Sequence, residues 1–248
     1  MDGYSLIQVG AEGKENFGYL CDNTGSNISN KNKNFCELTA LYWAWKNTHD
    51  SIVGLVHYRR FFYIGKGTSM HTLSEEEAYK LLKSYDMIIP QETVMLRDTV
   101  KTNYEKKHYI KDLLNCREII SKKCPEYLPE FDKVLNKHSY YPFNMFICKR
   151  ELFEEYMEWV FGILFELESI TDISEYDEYN KRIFGFLSER LFNVWLSHHK
   201  SLKVKELKVL NPELNMKSQI FKSYVDRVKK LVLKIGWRLT FYTALMKL

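Results

Sequence analysis

Ile52-Val53-Gly54-Leu55-Val56-His57-Tyr58-Arg59-Arg60-Phe61-Phe62 passes from a short, β-branched apolar run straight into four side chains able to grip a ligand. A run this short and this apolar predicts a buried strand. Its carboxyl end then delivers His57, Tyr58, Arg59 and Arg60 to the crevice where open α/β sheets bind their ligands. A guanidinium offers two parallel charge-assisted bonds to a phosphate. The stretch therefore points to an anionic, phosphate-bearing ligand held between His57 and Arg60. The alternative is a strand edge whose solvated arginines pair with nearby acids.

The flanking segments set this strand in a sheet. Upstream, Asn32 or Asn34 is positioned to cap a helix running to Asn47, with Phe35, Leu38, Thr39, Leu41, Tyr42 and Trp45 in register. Glu37 falls on its first turn, where the helix dipole favours a carboxylate. If buried it needs a partner, for which Arg59 and Arg60 are the candidates; otherwise it is an exposed residue of an ordinary core helix. Downstream, Ser74 and Glu77 have capping-box spacing ahead of Ala78, Leu81 and Leu82. Tyr85 to Pro90 reads as a strand stopped by proline. Helix, strand, helix, strand is the order of a βαβ unit, which predicts an α/β fold with a mostly parallel sheet flanked by helices.

Further along, Val100 to Ile120 predicts one helix with Tyr104, His108 and Asp112 in a row at i, i+4 and i+8. Such a row suits an acceptor site, with Asp112 or His108 as general base, or else the outer face of a surface helix. Tyr140 to Cys148 reads as an apolar strand in which Asn144 either serves the backbone of a bend or points at a ligand. Two long helices follow, Glu151 to Ser169 and Ser174 to Lys200. Glu189 is flanked by Leu187, Leu191 and Phe192, so it is either a half-buried carboxylate of raised pKa or the ion-pair partner of Arg182 or Arg190. Near the start, Leu6 to Val9 is a short apolar segment. Asn27 and Ser29 lie in a run of turn formers from Asp22, suited to a sugar hydroxyl or to a plain surface loop.

Composition narrows the class. The chain has 248 residues, 45% hydrophobic and 15% aromatic, enough for a packed core and outside the disordered range. A net charge of +4, with lysines interleaved among acids, leaves no patch for nucleic acid. The five cysteines, Cys21, Cys36, Cys116, Cys124 and Cys148, show no metal-ligand spacing, which predicts reduced thiols in a cytoplasmic protein. No signal peptide and no membrane-spanning run is evident. The tail differs from the rest. Within the tail of residues 211–248, Lys217 to Leu248 carries Lys217, Lys222, Arg227, Lys229, Lys230, Lys234, Arg238 and Lys247 against the acid Asp226, interleaved with Ile220, Phe221, Tyr224, Val228, Leu231 and Trp237. That pattern predicts a basic amphipathic helix on an anionic bilayer, or one packed on the domain of residues 1–210 or on a second subunit.

Six blocks together carry a resemblance: Asn27-Ile28-Ser29, Cys36-Glu37-Leu38-Thr39, Leu41 to Asn47, Gly54 to Phe61, Asn144 to Ile147, and Gly185 to Leu191. In this order they resemble a bacterial family, formerly a domain of unknown function, found in capsule, exopolysaccharide and lipopolysaccharide gene clusters. The resemblance runs from about Tyr4 to about His198. It implies a GT-A-like, Rossmann-like fold with a helical C-terminal extension. It also implies inverting transfer of galactose or galactofuranose from a UDP-sugar to a lipid-linked or oligosaccharide acceptor, peripheral at the inner face of the bacterial membrane. On this reading the donor falls to His57, Tyr58, Arg59, Arg60, Asn27, Ser29, Glu37 and Asn144. The acceptor falls to Tyr104, His108, Arg182 and Arg190, and the base is Glu189 or Asp112. GT-A enzymes commonly hold the diphosphate through a metal at an Asp-x-Asp. The comparable strand here ends in His57-Tyr58-Arg59-Arg60, so fixed cations are expected in that role, with a divalent metal the alternative. Family members also open with a further strand and a His-Lys loop ahead of Tyr4 to Ala11, which this chain lacks. A second reading is therefore a truncated, catalytically inactive paralogue acting as a binding or assembly subunit.

Overall fold

The computed structural model describes residues 3–66 and 69–234. Its centre is a six-stranded sheet built from β3 (Ile52–Leu55), β4 (Phe61–Ile64), β5 (His71–Thr72), β6 (Met87–Pro90), β9 (Phe146–Lys149) and β10 (Val204–Leu210). Two short pairs lie outside it: β1 (Ile7–Gln8) with β2 (Leu20–Cys21), parallel, and β7 (Thr93–Val94) with β8 (Ser139–Tyr140), antiparallel. The main sheet runs β3-β9-β6-β10-β4-β5. Only β6 and β10 pair in parallel; the other neighbours are antiparallel. The expected α/β class is present, but the mostly parallel pairing is not. β3 and β6 do point the same way, as a crossover requires, yet β9 enters between them and is antiparallel to both. No local pattern announces that insertion, since β9 arrives from more than fifty residues downstream. β3 is thereby an edge strand rather than a buried one. Beside it, between the helices described next, lies a crevice of about 550 Å³.

The helices are α1 (Asn32–Phe35), α2 (Leu38–Asn47), α3 (Glu75–Leu82), α4 (Val100–Glu105), α5 (Ile110–Lys123), α6 (Leu128–Leu135), α7 (Arg150–Ile170), α8 (Ile183–His198) and α9 (Met216–Lys234). Alternation along the strands feeds two cores, because successive strand residues face opposite ways. Val53, Met87, Ile89, Phe146 and Cys148 point into the larger core with α1, α2 and α5 to α8. Ile88, Met145 and Leu207 point to the other face, where Ala78 and Leu82 of α3 cover them. Ser74 and Glu77 close the capping box of α3 as expected. Phe146, fully buried and stacked on Phe192 at 5.5 Å, ties the sheet to α8; truncating such a residue to alanine costs about 3–5 kcal/mol.

Three helix expectations need correction. The Asn32 to Asn47 helix breaks at Cys36, whose backbone turns to φ +53, and neither Asn32 nor Asn34 caps it. Their side chains instead bond the Cys36 carbonyl and the Lys181 carbonyl. Val100 to Ile120 is two helices, since the extended backbone of Tyr109 separates α4 from α5. Tyr104, His108 and Asp112 thus share no single helical face. The last long helix starts at Ile183, not Ser174, because Asp177 ties down Asn180 in the preceding turn. At the C-terminal end, α9 packs on β7 and β10, and the residues beyond it, including Arg238, Trp237 and Lys247, lie outside the described part.

Candidate active site

Four distant segments meet where α1, α2 and α8 cross the end of the sheet. The first is the kink between α1 and α2. Cys36 adopts φ +53 with ψ −130, a region L-residues occupy at a cost of about 1–3 kcal/mol and mostly at functional sites. The second is the corner before β9, where Phe143 and Asn144 take φ +83 and +49. These three are the positive-φ residues other than glycine among the described residues, and one side chain ties the two regions to each other and to α8. Asn144 Nδ2 donates to Glu37 Oε1 at 2.7 Å and to the Gly185 carbonyl at 3.1 Å. Gly185 packs closely here, since an added Cβ would lie 3.3 Å from the side chain of Cys36 and press on it. Asn193 clamps the same corner to α8, accepting from the Tyr141 N–H and donating to its carbonyl.

The His57-Tyr58-Arg59-Arg60 turn is the third segment. It is closed by the Arg60 N–H to His57 carbonyl bond at 3.0 Å, and it divides its four side chains between two sides. His57 Nε2 lies 2.8 Å from the Phe143 carbonyl. A carbonyl only accepts, so Nε2 carries the proton and Nδ1 is the nitrogen left open when the ring is neutral. Arg60 spreads over the Phe143 ring at 4.6 Å and has no carboxylate partner among the described residues. Tyr58, 73% exposed, and Arg59, which pairs with Glu213 at 3.0 Å, form the outer tip. Glu37's partner is accordingly Asn144 and not Arg59 or Arg60.

The fourth segment is the start of α8. Glu189 is 21% exposed at its side chain and accepts from Arg190 Nη1 at 2.9 Å. Burial raises its pKa, and the charge of Glu37 adds to this; Arg190, the Phe143 N–H and His57 pull the other way. The result is a carboxylate that binds a proton more readily than usual and keeps part of its side chain exposed, as a general base must. Arg182 donates to Cys36 Sγ at 3.2 Å from the rim. The thiol of Cys36 is itself pushed up by burial.

His57, Arg60, Glu37, Asn144, Arg182, Glu189 and Arg190 are thus brought together. The remaining candidates are placed elsewhere. Ser29 is buried and bonds Asp22, whose carboxylate also accepts the Gly10 and Ala11 N–H groups. Asn27 caps that loop by accepting from the Ser29 N–H. Both hold the N-terminal loops together. Asp112 is 1% exposed and takes a hydrogen bond from Tyr176 at 2.7 Å, so it has no open face from which to act as base. Tyr104 is equally buried beneath Arg190, whose guanidinium lies 5.2 Å from its ring; neither Tyr104 nor the 4% exposed Arg190 presents a surface to an acceptor. His108 is stacked on Phe186 at 4.1 Å and bonded to Asn180, and burial lowers its pKa. Cys36 and Phe143 are site residues that the sequence reading did not single out. Cys36 carried one signal, membership in a block of the resemblance, and Phe143 lay just ahead of another.

Next to this cluster, and sharing Arg60 and Phe143 with it, a crevice of about 660 Å³ opens between the ends of β6 and β10 and helix α9. No group of three or more metal-ligating side chains forms among the described residues. The turn after β3 itself presents His57, Arg59 and Arg60 and no carboxylate.

Residues 1–200 match a family described as a domain of unknown function, DUF4422. The chain belongs to this family. No curated protein matches it. Among solved structures it is similar to the apo structure of WbbM, a bifunctional glycosyltransferase, at 30% identity and a TM-score of 0.76. That match covers 83% of this chain and 41% of the WbbM chain, so the DUF4422 chain spans less than half of its solved neighbour.

Proposed function

We propose that this chain is an inverting glycosyltransferase that moves a sugar, galactose or galactofuranose first among candidates, from a UDP-sugar to a lipid-linked or oligosaccharide acceptor in bacterial surface polysaccharide synthesis. The observation that carries the reading is the gathering of Glu37, His57, Arg60, Asn144 and Glu189 from four segments around strained backbone. Ordinary stability does not call for that convergence, and the likeness to a glycosyltransferase gives it a chemistry. In the proposed step the acceptor hydroxyl oxygen bonds to the anomeric carbon as the carbon–oxygen bond to UDP breaks. Glu189 takes the hydroxyl proton, and the leaving diphosphate keeps the electron pair. Arg60 is assigned to the charge that develops on that diphosphate, the electrostatic work that a preorganised cation does best, and His57 fixes the turn that carries it by bonding the Phe143 carbonyl. Arg182, at the rim, is assigned to the acceptor.

Helix α9 supports a membrane-facing acceptor. Gln219 and Lys230 on one side of it bond Asn211 and Glu92 of the domain. Phe221, Tyr224, Val228 and Leu231 recur at three- and four-residue spacing and are 68%, 64%, 42% and 57% exposed. The helix is held by its polar side and turns its apolar side outward, the reverse of a helix that serves only a core. Lys217 and Arg227 are exposed alongside, as an anionic headgroup layer requires. No helix among the described residues is long and apolar enough to cross a membrane.

Incubation with a panel of UDP-sugars, followed by UDP release, tests the activity. One preferred UDP-sugar is expected. No release from any sugar, with UDP still bound, would favour the non-catalytic binding subunit.

A further inference from the structure

The crevice beneath α9 has an unusual charge arrangement. Its acids are already served. Glu92 takes Lys230 at 2.7 Å and the Ser139 hydroxyl at 2.6 Å. Glu206 accepts from the Tyr141 hydroxyl at 3.0 Å. Asp226 takes Lys229 at 2.8 Å. Three cations lining the same space, Arg60, Lys208 and Arg227, have no carboxylate partner among the described residues. They come from three elements: the turn before β4, the strand β10 and the helix α9. Lys208 and Arg227 are close enough that Arg227, after burial, depresses the ammonium of Lys208. With the crevice's three carboxylates bonded to other groups, these like charges are left to be balanced by a further anion. It also lies beyond the carboxyl ends of the parallel pair β6 and β10, where α/β sheets receive ligands.

We infer that this crevice is a binding site for a phosphate or diphosphate group, gripped by Lys208 and Arg227 together with Arg60. It shares Arg60 with the donor grip proposed above but does not depend on sugar transfer. Lys208 supplies a point charge from the rigid sheet, and Arg227 closes over it from the helix with a fork suited to two phosphate oxygens. Because Arg227 belongs to the same helix as the outward apolar stripe, the group has two sources: a free nucleotide diphosphate, or the phosphate of a lipid.

The test is calorimetric titration of the full chain with inorganic pyrophosphate at low and moderate salt. Lys208→Met and Arg227→Gln are each expected to weaken binding about tenfold, the loss of one charge-assisted contact. Lys208→Arg should recover most of the affinity. No pyrophosphate binding by the wild type, or affinities within about twofold in both neutral variants, overturns the inference. Two further arms separate the sources. Displacement of pyrophosphate by UDP assigns the site to a nucleotide; co-sedimentation with phosphatidic acid vesicles that fails in Lys208→Met and Arg227→Gln assigns it to a lipid phosphate. Either result supports the site, and indifference of both arms to both variants counts against it. Glu189→Gln serves as the control: it should keep pyrophosphate affinity whatever becomes of sugar transfer, so failure of the catalytic reading remains distinguishable.

Discussion

Replacing Asn144 by alanine should destabilise the chain more than any other single polar change in the site. Its Nδ2 joins Glu37 and the Gly185 carbonyl at 2.7 and 3.1 Å, so the α1–α2 kink, the corner before β9 and α8 are linked through one amide. Losing the bond to a carboxylate costs about 1.5–3 kcal/mol and the neutral bond about 1 kcal/mol. The left-handed backbone at φ +49 adds about 1 kcal/mol once asparagine is gone. Against this, the buried and unpartnered Oδ1 disappears, which returns about 1 kcal/mol. The net loss is about 3 kcal/mol, or a fall in Tm of roughly 6–12 °C for a chain of this size. Asn144→Gly should recover about 1 kcal/mol of it, because glycine accepts the left-handed backbone. Urea unfolding followed by circular dichroism, with thermal melts alongside, reads both variants. A loss below about 0.5 kcal/mol, the range of an ordinary surface substitution, would show that Asn144 does not organise the site.

Other expectations follow from the same geometry. Arg60→Ala should weaken UDP binding by about tenfold or more, while Arg59→Ala, outside on the turn with Glu213, should stay within about twofold; equal losses in calorimetry would mean that the turn's two sides are not distinct. Glu189 has a raised pKa in the fold, so its favourable contribution is complete below its unfolded value, near 4.3, and is lost as pH rises through the folded value. The stability of Glu189→Gln relative to wild type should therefore increase from about pH 4 upward, and a difference that is flat with pH in urea titrations would contradict the assignment. Vesicle co-sedimentation should show salt-sensitive binding to anionic but not neutral lipid, reduced by the pair Phe221→Ser and Leu231→Ser; a chain left in the supernatant with both lipids would make α9 a structural helix.

Much of this architecture is legible in the chain itself because it is locally encoded. The capping box at Ser74 and Glu77, the proline-stopped strand at Met87–Pro90 and the apolar register of α7 each depend on neighbours a few residues away. What was not legible is decided by distant partners. Nothing near Phe146–Lys149 says that this strand will enter between β3 and β6. The break at Tyr109 involves neither glycine nor proline. Ser29 and Asp112 have the residue types of a binding site, and only the approach of Asp22 and Tyr176 shows that their polar groups are already used. For the site, the quoted blocks named most of the residues that converge, yet not how they pair. Glu37 was matched with an arginine by charge, where the fold supplies the amide of Asn144.

The most direct test of the central claim is UDP release from the preferred UDP-sugar by wild type and Glu189→Gln, with UDP affinity measured on the same preparations. A base acting in the transition state predicts a fall in kcat of about a hundredfold to ten-thousandfold, with UDP affinity unchanged within about twofold. Full turnover in Glu189→Gln would contradict the account and place the base elsewhere.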